Sequence, residues 1–448
     1  MFNGGFVNIT NIANGWIEHL GSGCIIEHAY LNMTTIFSDV PLKITNSYSN
    51  APITVYPSSF ITYNQLTGDT TIGAQTTFTH NTLIGRLFTT NAVSISDNNI
   101  IGQVETGSST ITGNTITGSV TIKNPISVTS VITNNTLRGG GTVWEFVLLY
   151  PIPRGALYPR SVLNVARGTA EISNNTFISQ DLTDQIYGMD MPESIYDGGY
   201  AITTQGDCRA NIHDNTISGG FVRGINIVGP GTIQNNSITN NLGGIAIGKN
   251  VYQYSMTISQ GDVTIRENTL ANSEVGIGGV AINDYFGQVD YENTPKPRTV
   301  TIQNNLIMDS TNGIDMRLPL ASLNIKNNTI TNSSTAITLN SIASATINFN
   351  NIQNYTHGSV NLTSTTADIN ATYNWWGTTN ALAINQSIRD FKNDFNLGVV
   401  NFSPFLSEEN PNNPVIPEFP SNLLMMLTIV PILAGVVFIR KRVLKSQN

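Results

Sequence analysis

Four charged residues have the types and spacing that the cleavage of a glycosidic bond requires. Asp315 and Arg317 lie in the stretch GIDMR, and Asp290 and Glu292 lie in the stretch FGQVDYEN. A hydrolase needs two carboxylates on opposite sides of the bond, roughly 5 to 9 Å apart. Asp290 or Glu292 opposite Asp315 would meet that requirement if the fold brought them together. These four residues are the candidate catalytic group.

A second set of side chains suits a sugar chain, whose faces are apolar and whose hydroxyls need hydrogen-bond partners. Most of the set lies in three insertions, residues 151–160, 249–260 and 283–298, which we predict to leave the fold at one common turn. The candidate binding residues are Tyr158, Arg160, Asn226, Tyr252, Tyr254, Tyr285, Phe286 and Tyr291. The alternative is that these aromatic rings only pack the insertions onto the fold.

Metal ligands are few. His19, Cys24 and His28 form the one compact group of nitrogen and sulfur ligands, in the stretch WIEHLGSGCIIEHA. The alternative is that they are ordinary strand residues. A fourth insertion, residues 179–199, is rich in oxygen ligands, so calcium is the one cofactor that the composition allows. Its acidic residues are Asp181, Asp184, Asp190, Glu193 and Asp197.

An internal repeat must position these candidates. An asparagine two residues before an apolar residue recurs at intervals of roughly 16 to 24 residues, with a few longer intervals, as in QNNSI and KNNTI. Asparagine tolerates left-handed backbone angles, so we expect it to turn the chain between two short strands. Stacked coil upon coil, its amides would form a ladder. The predicted ladder residues are Asn135, Asn175, Asn215, Asn236, Asn268, Asn305, Asn328, Asn350 and Asn374. Asn241 falls outside this predicted corner.

The segments between the asparagines are short and alternate Ile, Val and Thr with polar residues, which is typical of strands. Three strands per coil predict an all-β fold, a right-handed parallel β-helix. In the strand before each long insertion the middle residue should face solvent and form the floor of a groove. The predicted floor consists of Ala201, Asn226, Ala246, Ala281, Asp315 and Thr338.

The composition narrows the class of partner. Of the 448 residues only 11% are charged, and the net charge is −8. Abundant Ile and Val with so little charge argue against a disordered chain. The acidic balance argues against a nucleic acid as partner, because its phosphate backbone is bound by lysine and arginine.

The C-terminal part differs in kind from the repeats. We predict a β-helix over residues 1–380, a cap with a short helix and a final strand over 381–406, and a polar linker over 407–422. Residues 423–439 carry no charge and predict a transmembrane helix, and the basic tail 440–448 predicts a cytoplasmic C-terminus with the β-helix outside. Residues 1–16 lack the pattern of a signal peptide, so we expect a chain that starts inside a longer one.

The stretches ATYNWWGTT and LGVVNFSPFL resemble archaeal surface proteins with right-handed parallel β-helix repeats, in the broad pectate-lyase-like superfamily. The resemblance implies that the last coil closes at the Asn-Trp-Trp-Gly turn and that a short helix leads to a strand ending in Pro-Phe-Leu. The matching residues are Asn374, Trp375, Trp376, Gly377, Ile388, Phe391, Phe395, Pro404, Phe405 and Leu406. Pro417, Glu418 and Phe419 resemble the Pro-Glu-Phe type of C-terminal surface anchor.

Together these features predict a single-pass protein of the cell membrane that displays a groove for an extracellular glycan or a surface protein. Polysaccharide lyases of this fold resemble one another in placing a calcium-binding carboxylate cluster and a basic residue on such a floor. Here only Asp315 and Arg317 match, so we expect binding without catalysis. A polysaccharide lyase or glycoside hydrolase is the first alternative, and a metal-handling accessory protein is the second.

Overall fold

A computed structural model shows how the repeats are arranged. The residues that it describes are 11–13, 16–18, 24–56, 58–125, 128–140, 142–149, 152–159, 161–180, 199–204, 208–248, 261–279, 298–318 and 320–415. The chain divides into two units, residues 1–413 and residues 414–448.

The first unit is a solenoid of parallel strands, compatible with the predicted β-helix. Each coil contributes a strand at a first, a second and a third position, and each strand pairs in parallel with the strand at the same position of the next coil. First-position strands form a sheet of sixteen, and the second and third positions together form a sheet of 27. The class is therefore all-β with long parallel sheets, as the sequence predicts.

The first-position strands are β3 (Cys24–Glu27), β6 (Leu42–Thr45), β9 (Phe60–Thr62), β12 (Thr77–Thr79), β15 (Val93–Ser96), β17 (Ser109–Thr112), β19 (Thr129–Thr133), β24 (Thr169–Ser173), β27 (Arg209–His213), β30 (Gly231–Gln234), β33 (Val263–Arg266), β35 (Thr299–Gln303), β37 (Ser322–Lys326), β40 (Ala345–Asn348), β43 (Ile369–Asn370) and β45 (Val400–Asn401).

The second-position strands are β1 (Asn11–Ala13), β4 (Tyr30–Asn32), β7 (Tyr48–Ser49), β10 (Gln65–Thr67), β13 (Thr82–Ile84), β20 (Thr136–Gly139), β25 (Thr176–Ser179), β28 (Thr216–Ser218), β31 (Ser237–Thr239), β38 (Thr329–Thr331) and β41 (Asn351–Gln353). Four long strands run through both the second and the third position: β16 (Asn99–Thr106), β18 (Thr115–Lys123), β34 (Thr269–Gly279) and β36 (Leu306–Met316).

The third-position strands are β2 (Trp16–Glu18), β5 (Thr35–Ser38), β8 (Ile53–Val55), β11 (Thr70–Ile72), β14 (Leu87–Thr89), β23 (Ser161–Arg167), β26 (Tyr200–Thr204), β29 (Arg223–Ile227), β32 (Gly243–Ile247), β39 (Thr335–Leu339), β42 (Gly358–Leu362) and β44 (Ile388–Arg389). Outside the two large sheets, β21 (Thr142–Leu149) and β22 (Ile152–Pro159) form an antiparallel hairpin.

The core is a stack of aliphatic side chains inside the coils. Alternation along β27 is typical, because Ala210 and Ile212 point inward while Arg209 and Asn211 point outward. In the first-position sheet one inward column is fully buried over fourteen coils: Ile26, Ile44, Ile61, Phe78, Ile95, Ile111, Ile132, Ile172, Ile212, Ile233, Ile265, Ile302, Ile325 and Ile347. Burying one such side chain stabilises the fold by about 1.5–3 kcal/mol. That gain needs a neighbouring coil on each side, so no coil is stable alone.

Glycine controls the turn between the second and third positions in the early coils. Gly102 and Gly118 have φ angles of +148° and +144°, which side chains rarely allow. A Cβ atom on Gly102 would lie 2.0 Å from the carbonyl oxygen of Gly85, in the coil before. The chain can therefore turn at this level only where the residue lacks a side chain.

A short helix and two large apolar side chains lie at the C-terminal end of the solenoid. Helix α1 (Ala381–Ser387) begins at the N-cap Asn380, whose side chain accepts hydrogen bonds from the backbone N–H groups of Leu382 and Ala383. Ile384 and Trp376 bury their side chains at this end. The cap therefore covers the last coil with apolar groups.

Part of the predicted linker belongs to the solenoid instead. Asn410 exchanges hydrogen bonds with Asn351, and the Asn413 amide donates to the carbonyl oxygens of Phe349 (2.8 Å) and Asn328 (3.2 Å). The first unit accordingly ends at Asn413 rather than at residue 406. The predicted transmembrane segment 423–439 and the tail 440–448 lie outside the described residues. Within the described residues, no helix is long and apolar enough to cross a membrane.

Candidate functional site

Asparagine side chains form a continuous ladder where the first-position strands end. Each Oδ1 accepts hydrogen bonds from the backbone N–H and the Nδ2 of the asparagine one coil earlier, as between Asn215 and Asn236 (3.0 and 2.9 Å). Each Nδ2 also donates to a core carbonyl of the preceding coil, such as Ile212 O for Asn236 (3.0 Å). The ladder consists of Asn64, Asn81, Asn98, Asn114, Asn135, Asn175, Asn215, Asn236, Asn268, Asn305, Asn328, Asn350 and Asn374.

The sequence predicts that the ladder asparagine itself adopts the left-handed angle at each corner. In the structure the residue before it adopts that angle. In the pair Asn235–Asn236, Asn235 has φ 52° and is exposed, while Asn236 is 2% exposed. Asn134 and Asn174 have φ angles of 58° and 56° in the equivalent positions. The two adjacent asparagines thus have separate roles, since the first turns the chain and the second binds its neighbours.

Asn241 lies outside the corner of Asn236 but belongs to a second turn of the same coil, which the sequence does not predict. Asn240 has φ 57°, and the buried Asn241 follows it. The Asn241 side chain accepts from the Phe221 N–H at 3.1 Å and donates to the Ile217 carbonyl oxygen at 3.4 Å.

The third-position strands carry the outward column on which the predicted floor is based. In register it runs Asn164, Thr203, Asn226, Ala246, Gly278, Asp315, Thr338 and Asn361, and we call this column the third-strand face. Thr203 takes the place predicted for Ala201, which lies opposite Gly224 two positions earlier. Gly278 takes the place predicted for Ala281, and Ala281 lies outside the described residues.

The third-strand face is buried, although the alternation of the strands points it outward and the sequence predicts an open floor. Asn226 and Asp315 are each 2% exposed, and Thr338 is 5% exposed. The Oδ1 atoms of Asn164 and Asn361 are buried without a hydrogen-bond partner. The side chains from Thr203 to Thr338 are therefore not exposed to solvent, whereas Asn164 and Asn361 at the two ends of the column are half-buried.

Asp315 and Arg317 meet at this face in a two-pronged ion pair. Arg317 Nε donates to Asp315 Oδ1 at 2.9 Å, and Arg317 Nη2 lies 2.8 Å from Asp315 Oδ2. The carboxylate is buried, whereas half of the arginine side chain is exposed. Both oxygens of Asp315 are thus engaged by a cation, an arrangement that suits a positioned structural charge better than a general acid.

The long insertions leave the solenoid at the two edges of the third position, two at each edge. The hairpin of β21 and β22 and the segment 181–198 come before the third-position strands β23 and β26. The segments 249–260 and 280–297 come after β32 and β34. The expectation that residues 151–160 share a turn with the two later insertions is therefore wrong, because the hairpin leaves from the opposite edge.

Most of the predicted binding and catalytic residues lie outside the described residues. Tyr158 lies in β22, where its backbone is opposite Val143, and Asn226 lies in the third-strand face. The residues that lie outside are Arg160, Tyr252, Tyr254, Tyr285, Phe286, Asp290, Tyr291 and Glu292, together with the acidic residues at 181–197 proposed for calcium.

Sequence reasoning missed a buried arginine at the edge of this face. Arg298 is 6% exposed, and its Nη1 donates to the Val228 carbonyl oxygen at 2.9 Å, while its Nε has no acceptor. Burial lowers the pKa of Arg298 to about 10, so the group stays charged at neutral pH. No carboxylate among the described residues pairs with it. The sequence signal that could have identified Arg298 is its position at the C-terminal end of the insertion 283–298.

The predicted metal ligands are not brought together. Cys24 lies in the core, whereas His28 occupies a left-handed corner with φ 51° and is exposed. His19 lies outside the described residues. The corner explains the separation, since strict alternation would place residue 28 on the inward side with Cys24 and the left-handed turn at His28 interrupts that alternation. Over the described part of the chain, no group of three or more His, Cys, Asp or Glu side chains could hold a metal ion.

Comparison of the chain with models of protein families, with curated proteins and with solved structures finds no match in any of the three.

Proposed function

We propose that this protein is a noncatalytic scaffold of the cell surface that presents binding segments on one side of a parallel β-helix. The observation that carries the proposal is the placement of the insertions. All four leave the coils at the edges of the third position, between β20 and β35. Insertions that emerge on one face of a solenoid usually form its binding side.

The buried column changes the expected role of Asn226, Ala246 and Thr338. These side chains are too buried to contact a ligand, so we do not assign them a direct binding role. The contacts with ligand are then made by the segments themselves, which contain Tyr252, Tyr254, Tyr285, Phe286 and Tyr291. Aromatic rings beside carboxylates and amides suit the apolar faces and hydroxyls of a glycan.

The enzyme alternative is a lyase or hydrolase that uses Asp315 with Asp290 or Glu292. The ion pair with Arg317 disfavours it, because both carboxylate oxygens of the buried Asp315 are already occupied by the guanidinium group. A role in metal handling is disfavoured by the separation of Cys24 from His28.

The proposed location and the finer fold class rest on sequence. The uncharged segment 423–439, followed by Arg440, Lys441 and Arg442, suits a membrane span with a cytoplasmic C-terminus. The Asn-Trp-Trp-Gly turn and the Pro-Glu-Phe segment support a right-handed β-helix of the archaeal surface type. The partners that we propose are an extracellular glycan or another surface protein, with no cofactor required.

Glycan-array binding by the full chain in mild detergent tests the proposal. Combined Tyr252→Ala and Tyr254→Ala substitutions should reduce binding at least tenfold, which corresponds to about 1.4 kcal/mol. Tyr63→Ala is the matched control, since Tyr63 is 58% exposed at the first corner, away from the third position. Equal losses in the two variants would contradict the proposed binding side. Assays for reducing sugars and unsaturated products, with Asp315→Asn as the diagnostic variant, decide between binder and enzyme.

A further inference from the structure

A cluster of three ionisable side chains lies on the outer face of the first-position sheet, away from the third-strand face. His213 contacts Glu171 of the preceding coil through Nε2 and contacts Asp214 through Nδ1, the latter at 2.5 Å. Asn211 Nδ2 donates to both oxygens of Glu171 at 3.0 Å, and Asn235 Nδ2 donates to Asp214. The network thus links three successive coils, through β24, β27 and β30.

The two adjacent coils carry no charge at the position of His213. In register with His213 lie Ser173 in the coil before and Gln234 in the coil after, both of which are uncharged. The other nearby charged groups are Arg209 at the start of β27 and, two coils further on, Arg266 and Glu267 at the end of β33. On the far side, the residues of β19 that face outward are Val131 and Thr133, which are also uncharged.

The imidazole is held between two carboxylates, and this favours its charged form. Partial burial opposes the charge on His213, but the hydrogen bonds to Asp214 and Glu171 outweigh it and raise the pKa of His213 above its usual value. The hydrogen bond from His213, with a second from Asn235, lowers the pKa of Asp214. Both shifts follow from the geometry, because only an imidazolium can donate to both carboxylates at once.

We propose that Glu171, His213 and Asp214 form a proton-dependent clamp that holds the coil of β24, β25 and β26 against the next coil. This coil carries the insertion 181–198 between β25 and β26. The inference is independent of the proposed ligand, since it concerns only how firmly that coil is held. A catalytic role for the cluster is not part of it, because both ring nitrogens of His213 are occupied.

The pH at which the clamp weakens follows from the direction of each shift. The contribution of His213 is fully present below its unfolded pKa of about 6.5 and is lost as the pH rises through its raised folded pKa. A neutral imidazole keeps one N–H, so one carboxylate loses its donor. The contribution of Asp214 is present above about 3.8 and is lost as the pH falls through its lowered pKa. The clamp is therefore fully closed between the usual pKa of Asp214 and that of His213, and it weakens as the pH rises through the raised folded pKa of His213.

The repeat itself supplies substitutions that should preserve the fold. His213→Gln installs the residue that Gln234 provides at the same register, and Asp214→Asn installs the residue found at the equivalent corners Asn174 and Asn235. Glu171→Gln keeps the size of the side chain and removes its charge. Each variant removes one ionisable group without removing a core contact.

Hydrogen–deuterium exchange of the full chain between pH 5.5 and 8.5, corrected for the intrinsic dependence of exchange on pH, tests the clamp. Peptides from β24 and β27 should lose about two- to five-fold protection across this range, a size that corresponds to a partly exposed charged pair. Peptides from β35 and β37 serve as internal references. In His213→Gln the protection of β24 and β27 should no longer depend on pH.

Two results would overturn the proposal. One is a wild-type protein in which β24 and β27 follow the reference peptides at every pH. The other is a His213→Gln variant in which the protection of β24 and β27 is lower than in the wild type by the same factor at every pH. The dependence on pH would then not come from His213, and the histidine would have only a structural role. Glu171→Gln separates the cases further, because it should move the transition of the wild-type profile to lower pH.

Discussion

Removing one rung of the asparagine ladder tests whether the ladder, rather than the corner, holds the coils together. The change is Asn236→Ala. The Asn236 side chain accepts from Asn215 N and Nδ2 and donates to Ile212 O, Gln234 O and Asn268 Oδ1, at 2.9 to 3.0 Å. All five hydrogen bonds disappear in the variant.

The magnitude follows from which buried groups lose their partners. Asn215 Nδ2 keeps its bonds to Ile172 O and His213 O, at 2.9 Å each, but the Asn215 backbone N–H has no substitute acceptor. A buried donor without a partner costs about 1–3 kcal/mol. The truncated side chain also adds a small cavity and removes the hydrogen bond to the Ile212 carbonyl oxygen, so we expect a total loss of about 2–5 kcal/mol.

The adjacent residue provides the control. Asn235→Gly keeps a residue that adopts the left-handed angle of φ 52° and removes an exposed side chain, with its hydrogen bond to the exposed Asp214. Its effect should stay within about 1 kcal/mol. Equilibrium unfolding of both variants in urea, followed by far-ultraviolet circular dichroism, measures the difference. If Asn235→Gly destabilised the protein as much as Asn236→Ala, the corner and not the ladder would be the stabilising element.

Two further changes probe the turn and the end of the solenoid. Gly102→Ala places a Cβ atom 2.0 Å from the Gly85 carbonyl oxygen, so the midpoint of thermal unfolding should fall by several degrees or the protein should fail to fold. The control is Thr117→Ala, one residue before Gly118, the next glycine of the column. Equal midpoints in the two variants would contradict the close approach. A chain ending at residue 413 should be more stable towards urea than one ending at 406, by about 1–3 kcal/mol, because the longer chain keeps the hydrogen bonds of Asn410 and Asn413. Identical urea midpoints would show that residues 407–413 do not stabilise the coils.

Some of these features follow from the sequence because they are repeated or local. The recurrence of asparagine before an apolar residue marks Asn215, Asn236 and Asn268 as equivalent, and equivalent residues in a solenoid must stack. The short alternating segments predict strands, and the helix after Asn380 has a capping residue at its start. These properties depend on neighbours within a few residues or on periodicity, so one chain is enough to predict them.

The sequence does not predict which residue of the pair Asn235–Asn236 adopts the left-handed angle and which one forms the ladder hydrogen bonds. Either asparagine can adopt a left-handed angle, and either can bind a neighbour through its amide. Only the inward direction of the preceding strand decides which of the two points into the ladder. The same limit applies to the corner at Asn241, because a single asparagine in an irregular segment carries no periodic signal from which a corner could be predicted.

The candidate site depended most on the tertiary structure. Locally, Ala201 and Thr203 are both plausible middle residues of a strand, and pairing with β29 decides between them. The edge from which the hairpin of β21 and β22 leaves depends on which strands of distant coils pair. The burial of Asn226 and Asp315 cannot be predicted from the alternation of their strands, which points both side chains outward. The sequence by itself therefore determined the repeat, the ladder and the strands, because each coil makes nearly the same local contacts. Only the tertiary structure decided register, side and burial, because these depend on how coils of unequal length stack.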